Sequence, residues 1–141
     1  MARIKLSLPQ KVVFSTEIVV RNDDINYGGH MGNERILIYC QEARIRYLMQ
    51  KKMSEKNILN MSIIMADAAV VYKSEAFFGN QLRIDLSLED FNEHGFDFIY
   101  CFYHLPSEKV MAQAKTGIVF FDYHARKLAK APAGLKDLLG A

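Results

Sequence analysis

The sequence predicts an α+β fold in which one antiparallel sheet curls around a single long helix. Three features lead there. Residues 33–51 carry one long helical repeat that is apolar over much of its circumference. From residue 60 onward the chain reads almost entirely as strands separated by short turn signals. Only one strand-like run precedes the helix, so the order is strand, helix, then four strands.

The first strand is residues 12–21 (VVFSTEIVVR), rich in β-branched side chains. A polar loop with two adjacent glycines follows (residues 22–29, NDDINYGG). Asn33 is placed to cap the helix. Within the helix Ile36, Cys40, Ala43 and Tyr47 form one stripe, with Leu37 and Leu48 on one flank and Ile38, Ile45 and Met49 on the other. Arg35, Glu42 and Arg46 form its polar seam, with Glu42 and Arg46 spaced for an ion pair. Such a helix is expected to be surrounded rather than half exposed.

Residues 62–78 form a long apolar run that ends at Gly79-Asn80, a turn signal. Leu82, Ile84, Leu86 and Leu88 then alternate with polar residues, as in a half-buried antiparallel strand. Breaks at residues 92–95 and 106–107 set off strands at 96–105 and 109–123. A short helix started by Pro132 is expected within 131–139. Consecutive strands with short breaks are expected to pair as a meander.

With 141 residues, the chain is the size of one domain, assigned here to residues 1–141, and can bury a core without disulfide or metal. A net charge of +2 and no basic run give no argument for nucleic acid. No stretch is long and apolar enough to span a bilayer, and residues 1–10 do not read as a signal peptide. The two cysteines, Cys40 and Cys101, lie in apolar surroundings and are expected to be buried free thiols, which points to the cytoplasm. There is no G-x-S-x-G, P-loop or G-x-G-x-x-G, and His30, His94, His104 and His124 show no metal-ligand spacing. His104 and His124 read as strand-end residues, and the basic tail of Arg126, Lys127, Lys130 and Lys136 as solvated surface.

The most informative segment is residues 20–44, VRNDDINYGGHMGNERILIYCQEAR. A strand ending in Val-Arg, acidic residues, a Gly/His turn and a Glu-Ala-Arg on the helix resemble the hot-dog thioesterases of the 4-hydroxybenzoyl-CoA and acyl-CoA thioesterase kind. Residues 72–79 (YKSEAFFG) and 116–123 (TGIVFFDY) resemble later pieces of that family, so the likeness covers about residues 12–130. It implies the hot-dog fold, a five-stranded antiparallel sheet around one central helix. It also implies hydrolysis of an acyl-CoA or acyl-carrier-protein thioester, with no cofactor beyond the coenzyme A of the substrate. Finally, it implies a homodimer or dimer of dimers.

Gly28 and Gly29 let backbone approach a ligand. The resemblance gives a backbone N–H of Gly32 or Asn33 the task of polarising the thioester carbonyl. Where many members have a catalytic Asp, this chain has Asn26, which can position but cannot accept a proton as a base. The candidates for that task are Asp24, in a polar loop, His30, beside the helix start, and Asp67. Asp67 is a lone acid in an apolar run, where desolvation would raise its pKa, and its strand can line a partner's site. Two alternatives remain: an enoyl-thioester hydratase on the same fold, disfavoured by the six-residue step from Asp24 to His30, and a non-catalytic acyl-thioester binder, kept open by Asn26.

Overall fold

The computed structural model describes residues 2–141. Its elements are β1 (Phe14–Val19), a single 3-10 turn (Asn22–Asp24), α1 (Arg35–Gln50), β2 (Ser62–Tyr72), β3 (Gln81–Glu89), β4 (Gly95–Leu105), β5 (Val110–Asp122), β6 (Lys127–Leu128) and α2 (Leu135–Leu138). The sheet is antiparallel in the order β1-β3-β4-β5-β2, with β6 paired to β5. The expected five strands are therefore six. The extra one is a two-residue bridge, too short to leave a periodic pattern.

The meander holds for β3, β4 and β5 but not for β2, which pairs with β5 at the far edge. Strand alternation specifies which face is buried, not which neighbour is chosen. Residues 73–80 must then cross from one side of the sheet to the other, over three strand spacings of about 4.8 Å. The crossing is tied down along its length. Lys73 and Ser74 N–H both donate to Met111 O, and Ala76 O accepts from Met31 N–H. Gly79 N–H donates to Val20 O. It therefore runs past the start of α1.

The curl is filled by inward residues of successive strands: Leu82, Ile84 and Leu86 of β3; Phe96, Phe98, Tyr100 and Phe102 of β4; Ala112, Ala114 and Phe120 of β5. Phe96 and Phe98 are thus core. Phe77 and Phe78, on the crossing, are exposed. From α1, Ile36, Tyr39, Cys40, Ala43, Tyr47 and Leu48 are buried, and Tyr47 sits between the rings of Phe14 and Phe98. One expectation fails here. The flank Ile38, Ile45 and Met49 is exposed, so the helix is covered on one side rather than surrounded. The Glu42–Arg46 ion pair forms at 2.6 Å, and Arg46 also reaches Thr16 on β1.

A polar chain crosses this core. Glu55 and the Tyr100 hydroxyl both meet the buried Arg44 guanidinium, at 2.6 and 3.0 Å, and Tyr100 is 2.8 Å from Thr116. Each of these three buried groups, Arg44, Tyr100 and Thr116, has a partner, which limits the cost of desolvation. Cys40 and Cys101 are buried and free. Burial pushes both thiols up from their ordinary pKa, the more strongly for Cys40. No helix among the described residues is long and apolar enough to cross a membrane.

Candidate active site

Residues 25–31 fold into a tight hairpin. Ile25 bridges Met31, Asn26 N–H donates to His30 O, and Gly29 N–H donates to Asn26 O. Gly29 has φ +83, a conformation that side chains with a Cβ rarely adopt. The Asn26 side chain turns inward on the hairpin, its Oδ1 accepting Gly28 N–H at 2.8 Å. A Cβ at Gly28 would lie 3.2 Å from both Asn26 Oδ1 and His30 Nε2, so this glycine leaves room for both side chains. Asn26 therefore shapes the turn that presents His30.

Asp24 anchors the same loop from below. Its carboxylate is 6 % exposed, accepts Arg21 N–H at 3.0 Å and the Tyr39 hydroxyl of α1, and faces Arg35 Nε at 3.7 Å. Burial and this bond to Asp24 push the Tyr39 hydroxyl up in pKa. Arg35 Nε is itself buried without a hydrogen-bond partner.

Helix α1 starts without a side-chain cap. Its N-cap is Glu34, in helical conformation, rather than the expected Asn33, because a turn closed by Arg35 N–H to Gly32 O leads straight into the helix. The Gly32 N–H is used by Asp24 O. Among the described residues, the N–H groups of Asn33 and Glu34 make no intramolecular hydrogen bond. Of the two backbone donors expected from the sequence, Asn33 is thus the free one. Its own carbonyl is held by the Tyr72 hydroxyl at 3.0 Å.

A cleft of about 280 Å³ opens at this helix start. One wall is His30, Gly32 and Asn33, the other is Tyr72 at the end of β2 with Ser74 and Glu75 from the crossing, and Ile36 and Met111 are among its apolar lining. His30 Nδ1 lies 3.1 Å from Met31 O, and Nε2 lies 3.9 Å from Glu75 Oε1 across the cleft. With Nδ1–H given to the carbonyl, Nε2 is left as an acceptor facing a carboxylate. The arrangement offers the free Asn33 N–H at a helix N-terminus and an imidazole–carboxylate pair in one place. That set can polarise a carbonyl and take a proton from water.

Asp67 is elsewhere. It sits at a bulge of β2 with its side chain 62 % exposed, accepts Gly117 N–H at 3.1 Å and pairs with Lys115 at 2.9 Å. The expectation that its pKa is raised is overturned. The Lys115 contact, above all, holds it below the usual carboxylate range. The reason is tertiary: Lys115 lies on the neighbouring strand, a partner that Asp67's own run of sequence does not contain.

Sequence reasoning brought His30, Gly32 and Asn33 to the cleft, with Gly28 and Gly29 in the supporting turn. It missed Glu75, Ser74 and Tyr72. Their signal was the polar triplet Lys73-Ser74-Glu75 interrupting the apolar run of 62–78. Among the described residues, no three His, Cys, Asp or Glu side chains come together as a metal site.

Residues 20–139 match the family described as the thioesterase-like superfamily. A search of curated proteins finds no match. Among solved structures, the chain is similar to Slr0204, a 1,4-dihydroxy-2-naphthoyl-CoA thioesterase from Synechocystis (TM-score 0.81, 23% identity, covering 90% of this chain and 95% of that one). It is also similar to a DHNA-CoA thioesterase from Staphylococcus aureus (TM-score 0.74, 15% identity, 82% and 78%). A third is the S. aureus protein SAV2348, solved in complex with CoA (TM-score 0.80, 14% identity, 96% and 86%). At these identities the structural likeness carries the fold alone, which is the hot-dog fold.

Proposed function

The chain belongs to the thioesterase-like superfamily, and from that premise we propose that it hydrolyses a coenzyme A thioester to a free acid and thiol. The observation that carries the reading is the unpartnered N–H of Asn33, at the start of α1, in the cleft that also holds His30 and Glu75. A thioester carbonyl seated there develops negative charge as it is attacked, and a helix N-terminus with about half a unit of positive charge favours that state over the ground state. His30 Nε2 takes the proton of the attacking water, and Glu75, 3.9 Å away, stabilises the imidazolium that results. Asn26 and Asp24 position the loop. Coenzyme A, rather than a carrier protein, is favoured by the CoA-bound relative and by the two CoA thioesterases of like fold.

A second copy of the chain completes the assembly in this reading. β2 is eleven residues long, pairs on one side only, and exposes Met65 beside the open Ile38, Ile45 and Met49 stripe of α1. A long apolar edge next to an uncovered helix flank is an association surface, and pairing about a two-fold axis covers both at once. Two buried free thiols suit a reducing compartment, the cytoplasm.

The test is incubation with acyl-CoAs of graded length and with trans-2-enoyl-CoA, following free thiol and enoyl absorbance. Thiol release from one or more thioesters is expected. Saturable binding without thiol release, or enoyl loss without it, would overturn the hydrolase reading.

A further inference from the structure

A second polar pair, Ser74 and His104, lies at the cleft wall. Ser74 Oγ lines the cleft, and 3.1 Å behind it is His104 Nε2, near the end of strand β4. With the ring proton on Nδ1, the form in which His104 can serve as a base, Nε2 accepts the serine hydroxyl across this contact. The serine backbone is fixed by its N–H bond to Met111 O at 3.1 Å. A hydroxyl with a base behind it and the free Asn33 N–H across the same cleft are parts of a nucleophilic site. Val110 O, at 3.2 Å, is the competing acceptor for the hydroxyl proton.

We propose that Ser74 is a nucleophile in this cleft, with His104 as its general base, so that hydrolysis passes through an acyl-serine. This rests on the thioesterase reading and divides its reaction in two. In the first half, Ser74 Oγ bonds to the acyl carbon as the carbon–sulfur bond breaks. The hydroxyl proton passes to His104 Nε2 and on to the departing thiolate. In the second half, His30 takes a proton from water as the water oxygen bonds to the acyl carbon. The carbon–Oγ bond breaks, and that proton returns to Oγ. The sum is thioester plus water giving acid plus thiol. Burial, first, and the charge of Lys109, second, lower the His104 pKa, so the imidazole is neutral and able to accept at neutral pH. Asp24 and Asp67 are committed to Tyr39 and Lys115, so neither competes for this task.

The experiment uses His30→Ala, which blocks the second half and leaves the first. Mixed with an acyl-CoA that the wild type hydrolyses, this variant is expected to release about one thiol per chain and to carry the acyl mass on the peptide containing Ser74. The double variant with Ser74→Ala should release none. Ser74→Ala alone should lose at least ~100-fold in turnover at an unchanged melting temperature, the scale of lost nucleophile activation. Separately, a fluorophosphonate should label Ser74 in the wild type and not in His104→Gln, a readout that needs no thioester turnover. Wild-type turnover in Ser74→Ala, or a thiol burst without acyl mass on Ser74, overturns the proposal. If the wild type is inert towards every acyl-CoA, the thioesterase reading fails by itself. The fluorophosphonate then decides for Ser74: an adduct there supports the activated serine, and its absence rejects it.

Discussion

Asp24→Ala separates a loop anchor from a general base. In the folded chain the Asp24 carboxylate accepts two hydrogen bonds, from Arg21 N–H and the Tyr39 hydroxyl, and faces the buried Arg35 Nε. Hydrogen bonds to a charged group contribute about 1.5–3 kcal/mol each, and removing the acceptor strands both donors. The substitution should therefore cost about 3–5 kcal/mol. For a chain of 141 residues the unfolding entropy near 60 °C is about 0.3 kcal/mol per degree, so the melting temperature should fall by ~10–17 °C. Asp24→Asn keeps the shape and one acceptor, so its fall should be about half as large. Circular dichroism melts give these shifts. Turnover at 25 °C, where the folded fraction is checked, gives the second reading. An anchor predicts that Asp24→Asn stays within about tenfold of wild type, since the loop is still tied. A general base predicts at least ~100-fold loss in both variants with little change in melting. A melting temperature for Asp24→Ala within ~2 °C of wild type would refute the anchoring argument.

Three further outcomes are expected. Gly28→Val should lose at least ~100-fold in turnover while folding, because its Cβ starts 3.2 Å from His30 Nε2 and its branches displace that ring; near-normal activity would remove the hairpin from the site. Met65→Lys, on the exposed edge of β2, should shift sedimentation from dimer towards monomer, and a wild type that sediments as a monomer at working concentration rejects the edge-pairing proposal. The His104 pKa is lowered, so its neutral form survives to lower pH than an ordinary imidazole. Activity that depends on it should be lost as pH falls, with a midpoint below the ordinary value of about 6.5. Lys109→Ala should move that midpoint up, and a pH profile in which it moves down or stays fixed contradicts the assignment.

What was legible in the sequence was local. The stripe of Ile36, Cys40, Ala43 and Tyr47 located α1, and the alternation of Leu82 to Leu88 gave the buried face of β3. The adjacency of Gly28, Gly29 and His30 to a helix start marked one wall of the cleft. The other wall was not legible, because it is made by a crossing whose path depends on β2 choosing β5 over β3. Ser74 and His104 are thirty residues apart, and nothing in the local pattern of either points to the other. Asp67 failed for the same reason: its partner is 48 residues away, so a charge that looked stranded is paired. The exposed stripe of Ile38, Ile45 and Met49 shows the limit of periodicity, which reports that a face is apolar and not whether the same chain covers it.

The two buried cysteines bear on how this protein is best watched. A thiolate-seeking reagent meets no accessible sulfur on the native chain, since Cys40 is 0% and Cys101 4% exposed and burial keeps both protonated. Colour developed with a disulfide reagent during turnover therefore comes from product, with a blank near zero. Left without substrate in mild denaturant, the same reagent becomes a clock for opening. Cys101, on a strand within the sheet, and Cys40, on the helix inside the curl, are two separate timers. If the helix lifts away before the sheet opens, Cys40 reacts first and the two sulfurs are resolved in time; if the domain opens as one unit, they react together.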